Sequence, residues 1–475
     1  MSATQQAPCD AAGAAVARCT GTAAYPGLTL ATSILGSSLS MIDGSVVNVA
    51  LPAIGSDLHA GAASLAWTIN AYMLPLSAMI LLGGALGDHY GRRRLFVIGV
   101  GLFLIASLLC AVAPSLPVLL AGRALQGLGS AMLMPNSLAF LGAAFDGQAR
   151  GRAIGTWAAA GAIAAAIGPL LGGWLVDAVG WRAIFFINLP VALGAMLLAW
   201  RYVEESREHG DGGRLDWGGA LVATAGLGAL TWALTAASGS QYPQVLLGGV
   251  AALGALLLGL FGWIEWRRGD DALMPFALFS TSTFAGLTLL TFFLYAALGG
   301  LIVILPYLLI RVGGYSAVGA GAAMLPVPIL IGIGSRLMGG VAAKIGGRLP
   351  LGIGSAIVAV GLALFLRVQP MHISYWSDVL PAIATVALGM AISVAPLTTS
   401  VIASVDREHV GTASGFNSAM ARIGGLIATA LLGFVFAARG SGEAFVVSVH
   451  NAALVGVGCA IIAAISAFLL IKDPE

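Results

Sequence analysis

Asp43 is the one carboxylate that the apolar pattern leaves deep inside a hydrophobic stretch, in MIDGSVVNVALP (Met41–Pro52), with Asn48 five residues on. An ionisable side chain held in hydrocarbon is costly and functional by default, and a carboxylate so placed can carry a proton. Arg123 opens RALQGLGSAMLMP (Arg123–Pro135), with Gln126 three residues later, about two turns inside a second apolar stretch. A guanidinium there costs roughly 2.5–3.5 kcal/mol or more unless it is paired. Asp43 lies nine residues before Pro52 and Arg123 seven after Leu116. At 1.5 Å per residue both sit about 10–14 Å from the same edge of the hydrocarbon, so they are expected to face each other. Asn48 is the competing hydrogen-bond partner for Asp43, and Gln126 joins the same candidate site, a proton-coupling and substrate cavity.

A second group is suited to movement. GGALGDHYGRRRLFVIG (Gly83–Gly99) puts Asp88, Gly91, Arg92 and Arg93 in a short turn, where charge-assisted bonds can form and break as helix ends shift. A shorter copy, GGVAAKIGGR at 339–348, has Ala342 and Ala343 in place of the acid, so ion pairing at the two turns is expected to be asymmetric. GPLLGG carries Gly168, Pro169, Gly172 and Gly173, a combination that removes a helical hydrogen bond and permits a bend and close helix contact. These eight residues are the conformational-gating candidates. Arg336 and Arg422 also fall inside apolar stretches, Arg422 about twelve residues in, as cavity-lining or packing groups. Cys9, Cys19, Cys110 and Cys459 show no CxxC spacing, so neither a metal site nor a disulfide framework is expected.

These residues require elements that cross a membrane. Of 475 residues, 59% are apolar and 9% charged, against about 25% charged for a water-soluble surface. Segments of roughly 20 residues, the length of one helical crossing, fall at about 28–52, 63–87, 95–112, 116–145, 154–179 and 183–202. Two more follow at 217–237 and 245–266, and six at 284–310, 318–343, 349–366, 379–405, 410–438 and 444–471. The expected fold is therefore an all-α polytopic membrane protein with fourteen transmembrane helices: a tail (1–27), a six-helix bundle (28–202), a linker with two inserted helices (203–282) and a second six-helix bundle (283–471). Alternating the loops puts fifteen Lys and Arg on one side and four on the other, Arg182, Arg311, Arg367 and Arg439. Positive loops stay in the cytoplasm, so both termini are expected there, in a multi-pass chain of the cell's inner, or plasma, membrane. Residues 1–27 lack a signal sequence's compact apolar core. The 66 glycines, about twice the usual share, let helices pack closely.

Taken together, GDHYGRRR, RALQGLGSA and GPLLGG resemble the major facilitator superfamily, and the resemblance covers essentially the whole chain. MIDGSVVNVALP and WRAIFFINLP (Trp181–Pro190), with the six-two-six plan, resemble its fourteen-helix drug:proton antiporter branch. His89 stands where that family usually has a basic residue, Ala164 where the full fifth-helix motif has another Gly, and Ile310 where the branch often has Gln. The resemblance implies secondary transport by alternating access: multidrug efflux of an amphipathic small molecule against protons, with no cofactor besides the coupling proton.

The residues agree with that expectation. Neither a GxxxxGK phosphate loop nor an HExxH pair occurs, which argues against ATP hydrolysis and enzyme chemistry. Net charge is +2 and no basic run is interleaved with aromatics, so nucleic acid is not an expected partner. Lipid bilayer, protons and a small molecule are, and a monomer is expected. Export of a lipid or endogenous metabolite is the runner-up within transport, and a non-transporting receptor or sensor the alternative from another class. One acid, Asp43, against Arg123, Arg336 and Arg422 predicts neutral, zwitterionic or weakly anionic cargo over dications, since a cation exported for a proton also forgoes the voltage.

Overall fold

The computed structural model describes residues 24–145, 147–207, 216–237, 242–269, 278–279, 281–369, 373–405, 410–436 and 442–472. Most of the expected tail, with Cys9 and Cys19, lies outside the described residues. In chain order the helices are α1 (Pro26–Asp57), α2 (Ala62–Tyr90), α3 (Arg92–Ala111), α4 (Leu116–Ala144), α5 (Gly147–Ala178), α6 (Ala183–Phe186), α7 (Asn188–Tyr202), α8 (Trp217–Ala237) and α9 (Gln244–Arg268). They continue as α10 (Ser282–Arg311), α11 (Ala317–Ala323), α12 (Pro326–Ile345), α13 (Arg348–Leu364), α14 (Leu380–Ala403), α15 (Val410–Phe436) and α16 (Gly442–Leu470).

Helix is the form that satisfies every backbone N–H and C=O within one segment, which hydrocarbon demands. Thirteen of the described spans are long and apolar enough to cross a bilayer, and α2, bent by 53° around Leu81, makes fourteen. The short α6 joins α7 in one crossing (Ala183–Tyr202), as α11 joins α12. Exposed apolar side chains such as Leu197, Leu221, Val245, Leu256 and Leu469 cover the outside. In water that surface would be prohibitive, and against lipid it costs nothing.

Glycine sets how closely the N-terminal helices cross. A Cβ on Gly83 of α2 would lie 2.0 Å from the Ala131 carbonyl oxygen of α4, and one on Gly127 of α4 would lie 2.3 Å from the Tyr72 carbonyl oxygen of α2. Gly99 of α3 and Gly129 of α4 abut each other's carbonyl in the same way. These contacts draw α2, α3 and α4 together around their polar side chains. The inserted α8 packs on α9 and also touches α2 and α15, whereas α9 buries only Gly254 and Glu265 among its described residues. α9 is thus a peripheral helix.

Candidate functional site

Asp43 and Arg123 meet. Arg123 donates from a terminal guanidinium nitrogen to Asp43 Oδ2, with the two side chains 0% and 1% exposed. Among the described residues this is the ion pair with both partners buried. The other carboxylate oxygen, Oδ1, accepts from Gln126 Nε2 (3.1 Å) and from Asn188 Nδ2 (3.1 Å). Gln126 Oε1 accepts from the same Arg123 nitrogen at 2.8 Å, and Ser107 Oγ accepts from Gln126 at 2.8 Å and from Asn188 at 3.3 Å. Arg123 Nε donates to the Thr68 carbonyl (3.1 Å), and the guanidinium lies 4.4 Å over the Tyr72 ring. Tyr72 is anchored in turn through its hydroxyl to Ser40 (2.6 Å) and Ser130 (3.1 Å). One knot therefore ties α1, α2, α3, α4 and α7.

Such a knot is energetically tense. Taking two charges out of water is offset only if geometry and extra hydrogen bonds are good, and stripping one partner strands the other at about 3–5 kcal/mol. Two sequence expectations need correction here. Asn48 is not part of the knot: five residues of helix turn it about 140° from Asp43, and its Oδ1 has no hydrogen-bond partner among the described residues. Nor do Asp43, Arg123 and Gln126 line open space in this conformation, because their side chains close on one another. A cavity of 470 Å³ lies instead among α10, α13, α15 and α16, lined by Phe292, Leu301, Leu362, Leu431 and Val455. Val455 is 57% exposed at its edge, so this crevice opens at the outside of the bundle, and none of its lining residues belongs to the Asp43 knot.

The gating candidates separate into two places. At the arginine-rich face Asp88 and Arg92 pair with each other at 2.7 Å, four residues apart and partly exposed. Gly91, at φ 111°, makes the turn between α2 and α3, and a Cβ there would also strike the Glu205 carboxyl at 2.7 Å. Glu205 accepts the backbone N–H groups of Arg93 (3.0 Å) and Arg94 (3.2 Å), capping α3, while the Arg93 side chain reaches the Val203 carbonyl. Gly346, at φ 82°, makes the corresponding turn before α13, so the sequence echo is also a backbone echo without the acid.

Gly168, Pro169, Gly172 and Gly173 lie toward the opposite face. α5 runs unbroken through Pro169, so close contact is what the motif provides. A Cβ on Gly168 would meet Ser45 Oγ at 1.9 Å, and one on Gly172 would meet Val46 at 2.3 Å, both on α1. Across the two halves, Gly173 would meet the Ala317 carbonyl oxygen at 2.3 Å, and Gly321 the Pro169 carbonyl oxygen at 2.2 Å. Asp177 adds a bond there, accepting the Ala317 (3.3 Å) and Val318 (3.0 Å) N–H groups at the start of α11. The halves are thus latched at the arginine-poor face.

Arg422 sits midway along α15, partly accessible, on a helix packed against α10 and α2, which carry Tyr295 and Tyr72. The Arg336 side chain lies outside the described residues. Several contributors were missed in sequence. Asn188 belongs to the WRAIFFINLP motif, yet an uncharged amide gives no sign of its partner. Glu205 sits in a charged stretch that reads as linker, and Asp216 (2% exposed) and Glu265 (0% exposed) lie at span ends that read as interfacial. Asp216 accepts from Arg268 at 3.0 Å and from the Gly219 N–H at 2.7 Å.

A bundle of up to fourteen crossings, latched at one face and holding one sealed charge pair in its N-terminal half, defines a multi-pass α-helical membrane protein of the transporter class. The chain belongs to the Major Facilitator Superfamily, whose family model matches residues 33–429; it is a transporter-family protein, not an enzyme. It is 35% identical over 414 residues to the Multidrug resistance protein Stp of Mycobacterium tuberculosis (strain CDC 1551 / Oshkosh), covering 86% of this chain and 76% of the relative. It is 32% identical over 406 residues to the Methylenomycin A resistance protein of Bacillus subtilis (strain 168), covering 84% and 85%. Its fold matches the inward open conformation of the xylose transporter XylE from E. coli, at 15% identity and TM-score 0.63 over 95% of this chain and 97% of that one.

Proposed function

We propose that this chain is a proton-coupled exporter of amphipathic, drug-like small molecules, acting as a monomer by alternating access in the plasma membrane. The observation that carries the reading is the buried Asp43–Arg123 pair. With Asp43 ionised, the pair holds α1 against α4 and, through Asn188, against α7. A proton arriving on the carboxylate neutralises it, cancels the Coulomb attraction to Arg123 and loosens three helices at once. Its release on the other side restores the pair. The drug-like cargo rests on the relatives, whose names include a Multidrug resistance protein and a Methylenomycin A resistance protein.

Orientation follows from charge. The arginine-rich face is the cytoplasmic one by the positive-inside rule, so the α5–α11 latch closes the outer side and this conformation opens inward. The test is drug export in proteoliposomes driven by an imposed pH gradient. Asp43→Asn should reduce it at least about a hundredfold while the protein still inserts, since the carboxylate that carries the proton in this reading is gone. Undiminished pH-driven export by that variant would remove Asp43 from the mechanism.

A further inference from the structure

Arg422 is the thirteenth residue of the 27-residue α15, so its guanidinium starts from mid-depth of a span. A cation there needs an acceptor. Yet among the described residues it makes no hydrogen bond and no ion pair, unlike Arg123 with its three oxygen partners. Snorkelling is no way out, because an interface is roughly 18 Å away in either direction. Two residues on, α15 is packed on both halves: Gly424 seats against the Phe292 carbonyl of α10, Gly425 against Gly299, and Met73 of α2 reaches Gly425. The helix that carries Arg422 packs on α10 of its own half and on α2 of the other, so Arg422 stands at the seam between the halves, with part of its surface still accessible.

Two phenols, Tyr72 of α2 and Tyr295 of α10, stand on the helices packed against α15. Tyr72 spends its hydroxyl on Ser40 and Ser130. Tyr295, partly accessible on α10, has no hydrogen bond among the described residues. Asp43 offers no acceptor to Arg422, because its oxygens are already engaged by Arg123, Gln126 and Asn188. The seam thus presents a guanidinium fork and a phenol, neither with a hydrogen-bond partner among the described residues, and the Met73 methyl approaches α15 close by at Gly425.

We propose that Arg422, with Tyr295, is an anion-recognition point of the transport cavity, and that the preferred cargo is an amphipath bearing one acidic group such as a carboxylate or a phenolate. A carboxylate accepts two parallel N–H bonds from guanidinium and a third from the phenol, while its apolar body rests on the neighbouring apolar side chains of the helices. This assignment rests on the export reading above and specifies its cargo. It also adds to the driving force: a monoanion leaving as a proton enters moves two charges down the membrane potential, where a neutral cargo moves one.

The experiment compares 1-pyrenebutyrate, its methyl ester and a pyrenylbutyl-trimethylammonium cation, measuring equilibrium binding in nanodiscs and pH-gradient-driven transport in proteoliposomes. The wild type should bind and move the anion about tenfold or more better than the ester, the size expected for hydrogen bonds to a charged group. In Arg422→Gln the anion-to-ester ratio should fall toward one, Arg422→Lys should recover part of it, and Tyr295→Phe should lower it about threefold. Reading a ratio removes differences in protein yield or folding. Equal handling of all three probes by the wild type, preference for the cation, or an unchanged ratio in Arg422→Gln overturns the anion site. If the anion binds in an Arg422-dependent way but no probe moves with the pH gradient, the site stands and the exporter reading falls.

Discussion

Two arginines lie deep in this molecule and are treated in opposite ways. Arg123, in the N-terminal half, is closed off with Asp43, Gln126 and the Thr68 carbonyl as acceptors. Arg422, in the C-terminal half, is partly accessible and has no hydrogen bond or ion pair among the described residues. A charge with a complete set of partners can be changed only by a proton, whereas one without them is open to whatever enters. On the readings proposed above, the N-terminal half would do the coupling and the C-terminal half would meet the cargo.

The sharpest way to break this contrast is thermal unfolding in one detergent. Arg123→Gln leaves a buried carboxylate without its cation and should destabilise by about 3–5 kcal/mol. Arg422→Gln removes an unpaired, partly desolvated charge and should stay within about 1 kcal/mol or stabilise. Equal losses in both would mean that Arg422 is braced like Arg123.

Next in size is the latch, which separates motion between the halves from the rigidity of the knot. Gly173→Ala would place a methyl 2.3 Å from the Ala317 carbonyl oxygen. Overpacking of that kind costs about 1–3 kcal/mol, so spin-label distances between α5 and α11 should shift toward the outward-open state by about 5- to 150-fold in population. Gly155→Ala on the same helix meets nothing within 4 Å and should leave those distances alone. A matching shift there would trace the effect to helix propensity instead of contact.

Asp177→Ala removes the acceptor of two N–H groups at the start of α11. By analogy with a lost helix cap it should favour the same opening by about 0.5–2 kcal/mol, read by the same labels. No change would leave the glycine contacts as the whole latch. The smallest effect is expected at Asp88→Asn: its pair with Arg92 is partly exposed and worth about 0–1 kcal/mol. The inward and outward populations should move by less than about fivefold, with cargo affinity in a cross-linked state unaltered; a tenfold loss of affinity would put Asp88 in the binding site.

The spans were legible because hydrocarbon imposes length and composition on each. The Asp43–Arg123 contact was legible because two lone charges at equal depth have few other partners. Asn188 and Ser107 were not, since neutral polar residues on a helix occur for many reasons and only the assembled bundle shows which face meets which. The Asn48 error was avoidable: its 140° rotation from Asp43 is arithmetic on the sequence alone. Glu205 escaped because a carboxylate that caps backbone N–H groups needs no partner side chain to reveal it. The latch was half legible, with its glycines visible in GPLLGG and their counterpart, Gly321, lying outside any motif.

That latch has a consequence for how such a protein can diversify. Its closest contacts are glycine against main-chain carbonyl, Gly173 on Ala317 and Gly321 on Pro169, so closure depends little on the identity of surrounding side chains. Residues away from these contacts can then drift under selection for new compounds while the closing step keeps its geometry. A lineage meeting a changing set of toxins can alter what it expels without rebuilding how it opens and shuts, provided those glycines stay bare.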